Sequence, residues 1–209
     1  MKTRADFGKI PRPVVRWYPS EQFCDIEAIY YSFVKSASQL LDFGAGDLSL
    51  KKKFLDAGFQ GNYFTCDVSR NYRYDFQSID EVVNSGRIFD AVIVLEVIEH
   101  MTLDAFERFF PKLLSVIAPG GRLILSTSNA MHINGTWAGD ITHVKTYPQA
   151  DLWALLTLKG FNCVPYRIVW LPKHLNPLKY AKYQINRILT HLLGVDYAVG
   201  ICLLCTKNL

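Results

Sequence analysis

The chain has 209 residues, 50% of them hydrophobic and 20% charged, with a formal net charge of +4. That length suits one domain, with or without a small appendage, and holds enough apolar residues for a core without staples. The mild charge neither demands nor excludes an anionic partner. No run approaches the ~20 apolar residues of a membrane span, and MKTRADFGKIPRPVVRW lacks the apolar stretch of a signal peptide, so the expected location is the cytoplasm.

Residues 1–19 are basic and proline-containing (Lys2, Arg4, Lys9, Arg12 and Arg16; Pro11, Pro13 and Pro19) and read as an irregular arm. Ser20 is a candidate cap for a helix over SEQFCDIEAIYYSFVKSA, where Phe23, Ile26, Ile29, Tyr30 and Phe33 keep a rough helical period. From residue 39 strand and helix patterns alternate. QLLDF is a buried strand, DLSLKKKFLDAG a helix, GNYFTCD a second strand, and NYRYDF is ambiguous. FDAVIVLE is almost continuously apolar, as in the middle of a parallel sheet. LDAFERFFPKLLSVI is a helix stopped by APGG, RLILSTS a strand, YPQADLWALLTLKG a helix, and FNCVPYRIVW and VGICLLCT the last strands. Such alternation implies a parallel sheet with helices on both faces.

Between the last two strands, residues 171–197 are too long for a hairpin loop. Leu178, Ala181, Ile185, Ile188, Leu189 and Leu192 make an apolar stripe there, with Lys179, Lys182, Arg187 and His191 beside it. The insert reads as a lid helix packed on the domain, or as a helix for a membrane surface or a partner. The five cysteines, Cys24, Cys66, Cys163, Cys202 and Cys205, are scattered and odd in number, which suits buried thiols in a reducing compartment. Cys202 and Cys205 form a C-x-x-C, but in a strand residues three apart point to opposite faces, whereas a zinc or redox pair needs a turn.

The stretch LLDFGAGDLSL runs from a strand through a Gly-Ala-Gly turn into a helix. Glycine there permits positive φ and close approach of a ligand to the backbone, and the helix start offers free N–H groups. A phosphate-gripping loop would need Gly-Lys-Ser/Thr, but Asp-Leu-Ser follows Gly46. A dinucleotide fingerprint would need a third glycine where Ser49 stands, and Asp47 would face a pyrophosphate. S-adenosylmethionine has no phosphate and carries cationic groups that tolerate acids.

LLDFGAGD, CDVS, FDAVIVLEVIEHM and APGGRLILSTSN follow one another in this order. In these motifs the chain resembles the class I S-adenosylmethionine-dependent methyltransferases, over roughly residues 21–206. Leu48 departs from them where a third glycine is common. The resemblance implies an α/β, Rossmann-like, seven-strand and mostly parallel sheet with an antiparallel last strand and a helical insert before it. It also implies a donor site at Asp42, Gly44, Ala45, Gly46, Asp67, Val68, Asp75, Phe76 and Glu96. Asp67 lies about twenty residues past the turn, the spacing that delivers a carboxylate to a ribose diol. Asp42 would orient the methionine end of the donor, and Asp75 and Phe76 would meet adenine.

LEVIEHM places Glu96, Glu99 and His100 together at the end of the central strand, and GDITHVKTYP supplies Asp140 and His143. Active sites of open parallel sheets lie at those carboxyl ends. Methyl transfer to a hydroxyl needs alignment and removal of a proton. His100 is the favoured base, with His143 and Glu99 assisting. Alternatively, Glu99 and His100 only cap and pack the next helix, or Glu96, Glu99, His100 and His143 hold Mg2+, Mn2+ or Zn2+. E-x-x-E-H with a later histidine resembles ubiquinone-biosynthesis O-methyltransferases and metal-assisted small-RNA 2′-O-methyltransferases. Trp137 is the aromatic residue expected to face substrate. The expected activity is O-methylation of a small molecule or glycan-type hydroxyl. Nucleic acid is a less favoured acceptor, and a non-catalytic binding module is the alternative of another class.

Overall fold

The structure is a computed structural model that describes residues 16–18, 26–132, 136–168, 177–193 and 196–209. The arm up to residue 15, Ser20, Phe23, Cys24 and Trp170 lie outside these residues. Strands are β1 (Arg16–Tyr18), β2 (Gln39–Phe43), β3 (Asn62–Cys66), β4 (Phe89–Leu95), β5 (Ile117–Ser128), β6 (Phe161–Ile168) and β7 (Gly200–Lys207). Helices are α1 (Ile26–Val34), α2 (Ser49–Asp56), α3 (Ile79–Asn84), α4 (Leu103–Ser115), α5 (Gln149–Leu158) and α6 (Pro177–Leu193).

The sheet order is β1-β6-β7-β5-β4-β2-β3. Every pairing is parallel except those of β7 with β5 and with β6. Alternate residues of β4 feed opposite cores: Val92 and Val94 pack with α4 and α5 residues such as Phe106, Phe109 and Leu152, whereas Ala91 and Ile93 join Tyr30, Val34 and Phe54 of α1 and α2. Burial on both faces is why β4 reads as an unbroken apolar run.

The strand count needs correction. The alternating body has six strands, not seven, because NYRYDF contributes only an isolated bridge between Phe76 and Cys66. Asn71 and Arg73 alternate with two tyrosines before Asp75, and Asp75 turns its carboxylate onto Thr65 instead of continuing a ladder. The seventh strand of the sheet is β1, from the segment read as an irregular arm, which pairs with Tyr166–Ile168 at the opposite edge. The thiol expectation also fails in part. Cys163 and Cys205 face each other in the β6–β7 register and form a disulfide, while Cys66 and Cys202 are free and buried. Cys202 and Cys205 do lie in opposite cores. α3 was unread from sequence, though Ser78 accepts from Glu81 N and Glu81 accepts from Gln77 N, a reciprocal cap.

Candidate active site

The turn after β2 is built on left-handed backbone: Gly44 has φ 85°, Gly46 φ 50° and Leu48 φ 63°. A Cβ at Gly44 would lie 2.3 Å from Val97 Cγ2, so this glycine lets the β2 turn and the β4 turn meet. Leu48 takes a conformation that suits glycine, at roughly 1–2 kcal/mol for an L side chain, which accounts for the glycine common at this position in the resembling enzymes. Asp67, at the end of β3, accepts from Gly46 N at 2.9 Å and from Ser69 N at 2.7 Å, and so braces the turn. Val68 beside it is 81% exposed.

Asp42 is 3% exposed, and its Oδ2 accepts from Tyr63 Oη at 2.8 Å. Burial pushes its carboxyl up to about 6 against the pull of that hydrogen bond. Burial, and then the Asp42 carboxylate, push the Tyr63 hydroxyl well above its ordinary value. Asp75 is exposed and Phe76 half-buried, and both are tied to β3. Asp75 Oδ2 accepts from Thr65 N and Oγ1, both at 2.8 Å, and Phe76 packs beside Phe64 against the core. Tyr74 donates to Gly46 O at 2.7 Å, a contact with no sequence signal beyond an aromatic-rich loop.

The second cluster follows β4. Glu96 has φ 52°, a strained position for a non-glycine residue. Its Oε1 accepts from Ser126 Oγ at 2.7 Å, and its Oε2 lies 3.0 Å from Ser128 Oγ. Glu99 is fully buried; its Oε1 accepts from Ser128 N at 3.1 Å, and its Oε2 has no hydrogen-bond partner among the described residues. Burial first, then the Glu99 charge, raise the Glu96 carboxyl to about 7. The alternating serines of RLILSTS were a period-two signal for these contacts.

The histidine loop is tied to the same turn, because Val144 N and Lys145 N donate to Glu99 O at 2.8 and 3.1 Å. His100 and His143 therefore lie with ring centroids 5.1 Å apart. His100 Nδ1 faces Thr142 O at 3.0 Å, and His143 Nδ1 faces Trp137 O at 2.8 Å. A carbonyl only accepts, so each Nδ1 donates, which leaves Nε2 of each ring turned to the site. Glu99, His100 and His143 each offer a ligand atom within 4.8 Å of the others. Nδ1–H groups anchored on carbonyls and an orphaned buried carboxylate oxygen are what a cation site requires. The residues fit a divalent cation, and the two imidazoles suit Mn2+ or Zn2+ better than Mg2+. Asp140 is held below the usual carboxylate range by Thr142, and its Oδ2 lies 3.9 Å from His143 Nε2. Trp137 stacks on His143 at 5.7 Å.

Residues 21–166 match the family model of the methyltransferase domain. The chain belongs to this methyltransferase-domain family. A SAM-dependent methyltransferase from Archaeoglobus fulgidus has a similar fold, with a TM-score of 0.68 and 14% identity over 87% of this chain and 93% of that one. The methyltransferase domain of bacterial CtHen1-C matches with a TM-score of 0.61 and 17% identity over 88% of this chain and 97% of that one. The plantazolicin methyltransferase BpumL in complex with SAH matches at 0.56 and 12% identity, over 88% of this chain and 82% of that one. Comparison with curated proteins finds no match. This methyltransferase domain thus has the class I fold of S-adenosylmethionine-dependent enzymes. Its glycine turn, Asp42 and Asp67 stand at the ends of β2 and β3, and Glu99, His100 and His143 gather past β4, with Glu96 beside them on Ser126 and Ser128.

Proposed function

We propose that the chain transfers the methyl group of S-adenosylmethionine to a hydroxyl of a small-molecule or glycan-type acceptor, with a divalent cation held by Glu96, Glu99, His100 and His143. The observation that carries this reading is the convergence of Glu99, His100 and His143 within 4.8 Å, next to a turn whose Gly44 abuts Val97 of the same segment. Asp67 is placed to accept from the ribose diol, and Asp42 is the buried anion for the cationic methionine end. The acceptor oxygen attacks the methyl carbon in line, the carbon–sulfur bond breaks towards sulfur, and a neutral thioether leaves. Holding the reactants in that line supplies much of the acceleration.

The chain's own groups remove the hydroxyl proton. When no cation is held there, His100 Nε2 would take this proton, since its Nδ1–H is committed to Thr142 O; the same lone pair cannot do both at once. A bound cation would supply Lewis acidity, lower the hydroxyl pKa and grip two vicinal oxygens. Glu99, His100 and His143 would then serve as ligands, and Ser126 and Ser128 would keep Glu96 and Glu99 in place. The 2′-hydroxyl at an RNA 3′ end presents the same vicinal pair, and the E-x-x-E-H cluster supports it as a second acceptor.

The test has two stages. S-adenosylhomocysteine is titrated by calorimetry with NADH as control; binding of the first alone is expected. Label transfer from S-adenosylmethionine is then measured to catechols, sugar diols and RNA with a free 3′-terminal diol, with and without a chelator and added Mn2+. Transfer that survives chelation and Glu99→Gln would sink the cation assignment while sparing the donor. Tight NADH binding, or no transfer to any class despite S-adenosylhomocysteine binding, would sink the enzyme reading.

A further inference from the structure

α6 is oriented the wrong way round for a lid. On a helical projection Ile185, Ile188 and Leu192 share one stripe, and they are 55%, 54% and 74% exposed. Tyr183, nearly opposite that stripe, is the buried residue, at 5% exposure. The lid expectation, in which the stripe packs on the domain, is therefore overturned: the stripe points away from the body. Lys182 and His191 flank it on either side, and residues 177–193 contain no aspartate or glutamate.

The place of α6 in the fold is equally specific. Ile168, the last residue of β6, pairs with Gly200, the first of β7, and Gly200 also pairs with Ser128. The insert therefore leaves and rejoins the sheet at its carboxyl-terminal edge, beside the serine that contacts Glu96 and Glu99. At the same end, the loop after β5 exposes Met131 at 72% and Ile141 at 100%.

We infer that α6 lies on an anionic phospholipid surface, apolar stripe inward, with Lys182 at the margin of the stripe among the headgroups. Charge complementarity selects this occupant, because an acid-free cationic helix gains from each anionic headgroup within a Debye length. Two copies would oppose like charges. No described helix is long and apolar enough to cross a membrane, so the contact is in the interface plane. Docking this way turns the sheet edge that carries Ser128 towards the lipid.

Co-sedimentation of the full chain with vesicles tests this independently of methyl transfer. The chain is expected to pellet with phosphatidylcholine vesicles containing phosphatidylglycerol, to pellet far less with phosphatidylcholine alone, and to be released by salt. Ile188→Ser combined with Leu192→Ser, and separately Lys182→Glu, should each lower partitioning about tenfold or more. Both variants should keep the wild-type melting temperature and affinity for S-adenosylhomocysteine. If the apolar variant fails to fold, Lys182→Glu and the salt series still decide. The inference is overturned if the chain stays in the supernatant, if both variants pellet like wild type, or if gel filtration shows a dimer that Ile188→Ser splits.

Discussion

Replacing Asp42 by asparagine separates the demands of folding from those of donor binding. The Asp42 carboxyl, 3% exposed, titrates at about 6 in the folded chain against an ordinary 3.8, because burial outweighs the Tyr63 hydrogen bond. The folded state therefore holds more protons than the unfolded state between those values. Stability from this group is fully present below about pH 4 and is lost as pH rises to about 6. The displacement corresponds to about 3 kcal/mol. Asparagine keeps the shape and an acceptor for Tyr63 Oη but never ionises. The stability of Asp42→Asn relative to wild type should thus rise by about 3 kcal/mol between about pH 4 and pH 7, measured by urea unfolding. Under the proposed function Asp42 receives the donor's ammonium, so the same substitution should lower affinity for S-adenosylhomocysteine about tenfold or more. A stability difference that is the same at both pH values would refute the reasoning.

Asp67→Ala removes the acceptor for Gly46 N and Ser69 N; calorimetry should show S-adenosylhomocysteine binding about a hundredfold weaker, with the fold retained by circular dichroism. Gly44→Ala, at φ 85° and 2.3 Å from Val97 Cγ2, should lose at least about 2 kcal/mol in denaturant unfolding. Adding Val97→Ala should recover the steric part but not the backbone part. Glu96, raised to about 7 by burial and by Glu99, holds a proton that competes with a cation below that pH. Mn2+ affinity read by paramagnetic resonance should therefore climb as pH rises towards about 7 and level above it. Glu96→Gln should flatten that profile, and an unchanged profile would remove Glu96 from the site.

The glycine turn and the acids around it were legible because they are local. Gly44, Gly46 and Asp42 are near neighbours in the chain, and parallel pairing of β2 with β3 carries Asp67 to the same edge. Positive φ at Gly44 and Gly46 is the backbone condition that their glycines implied. Glu96, Glu99 and His100 were also visible as one strand-end motif. Partners supplied by other strands were not. Ser126 and Ser128 reach Glu96 only through the β4–β5 register, and Tyr63 reaches Asp42 only through β2–β3 pairing.

What the sequence by itself determined is whatever a short range of residues must do: the order of strands and helices, the glycine turn, and the acids at strand ends. Tertiary structure decided what depends on long-range register and on which face meets the body. It brought His143 to His100 through two amides on Glu99 O, and it set Cys163 against Cys205. It reduced NYRYDF to one bridge and recruited Arg16–Tyr18 at the far edge instead. Helical periodicity showed that α6 has an apolar stripe, but a stripe alone does not say which way it faces. Only the burial of Tyr183 on the opposite face shows that Ile185, Ile188 and Leu192 face outward.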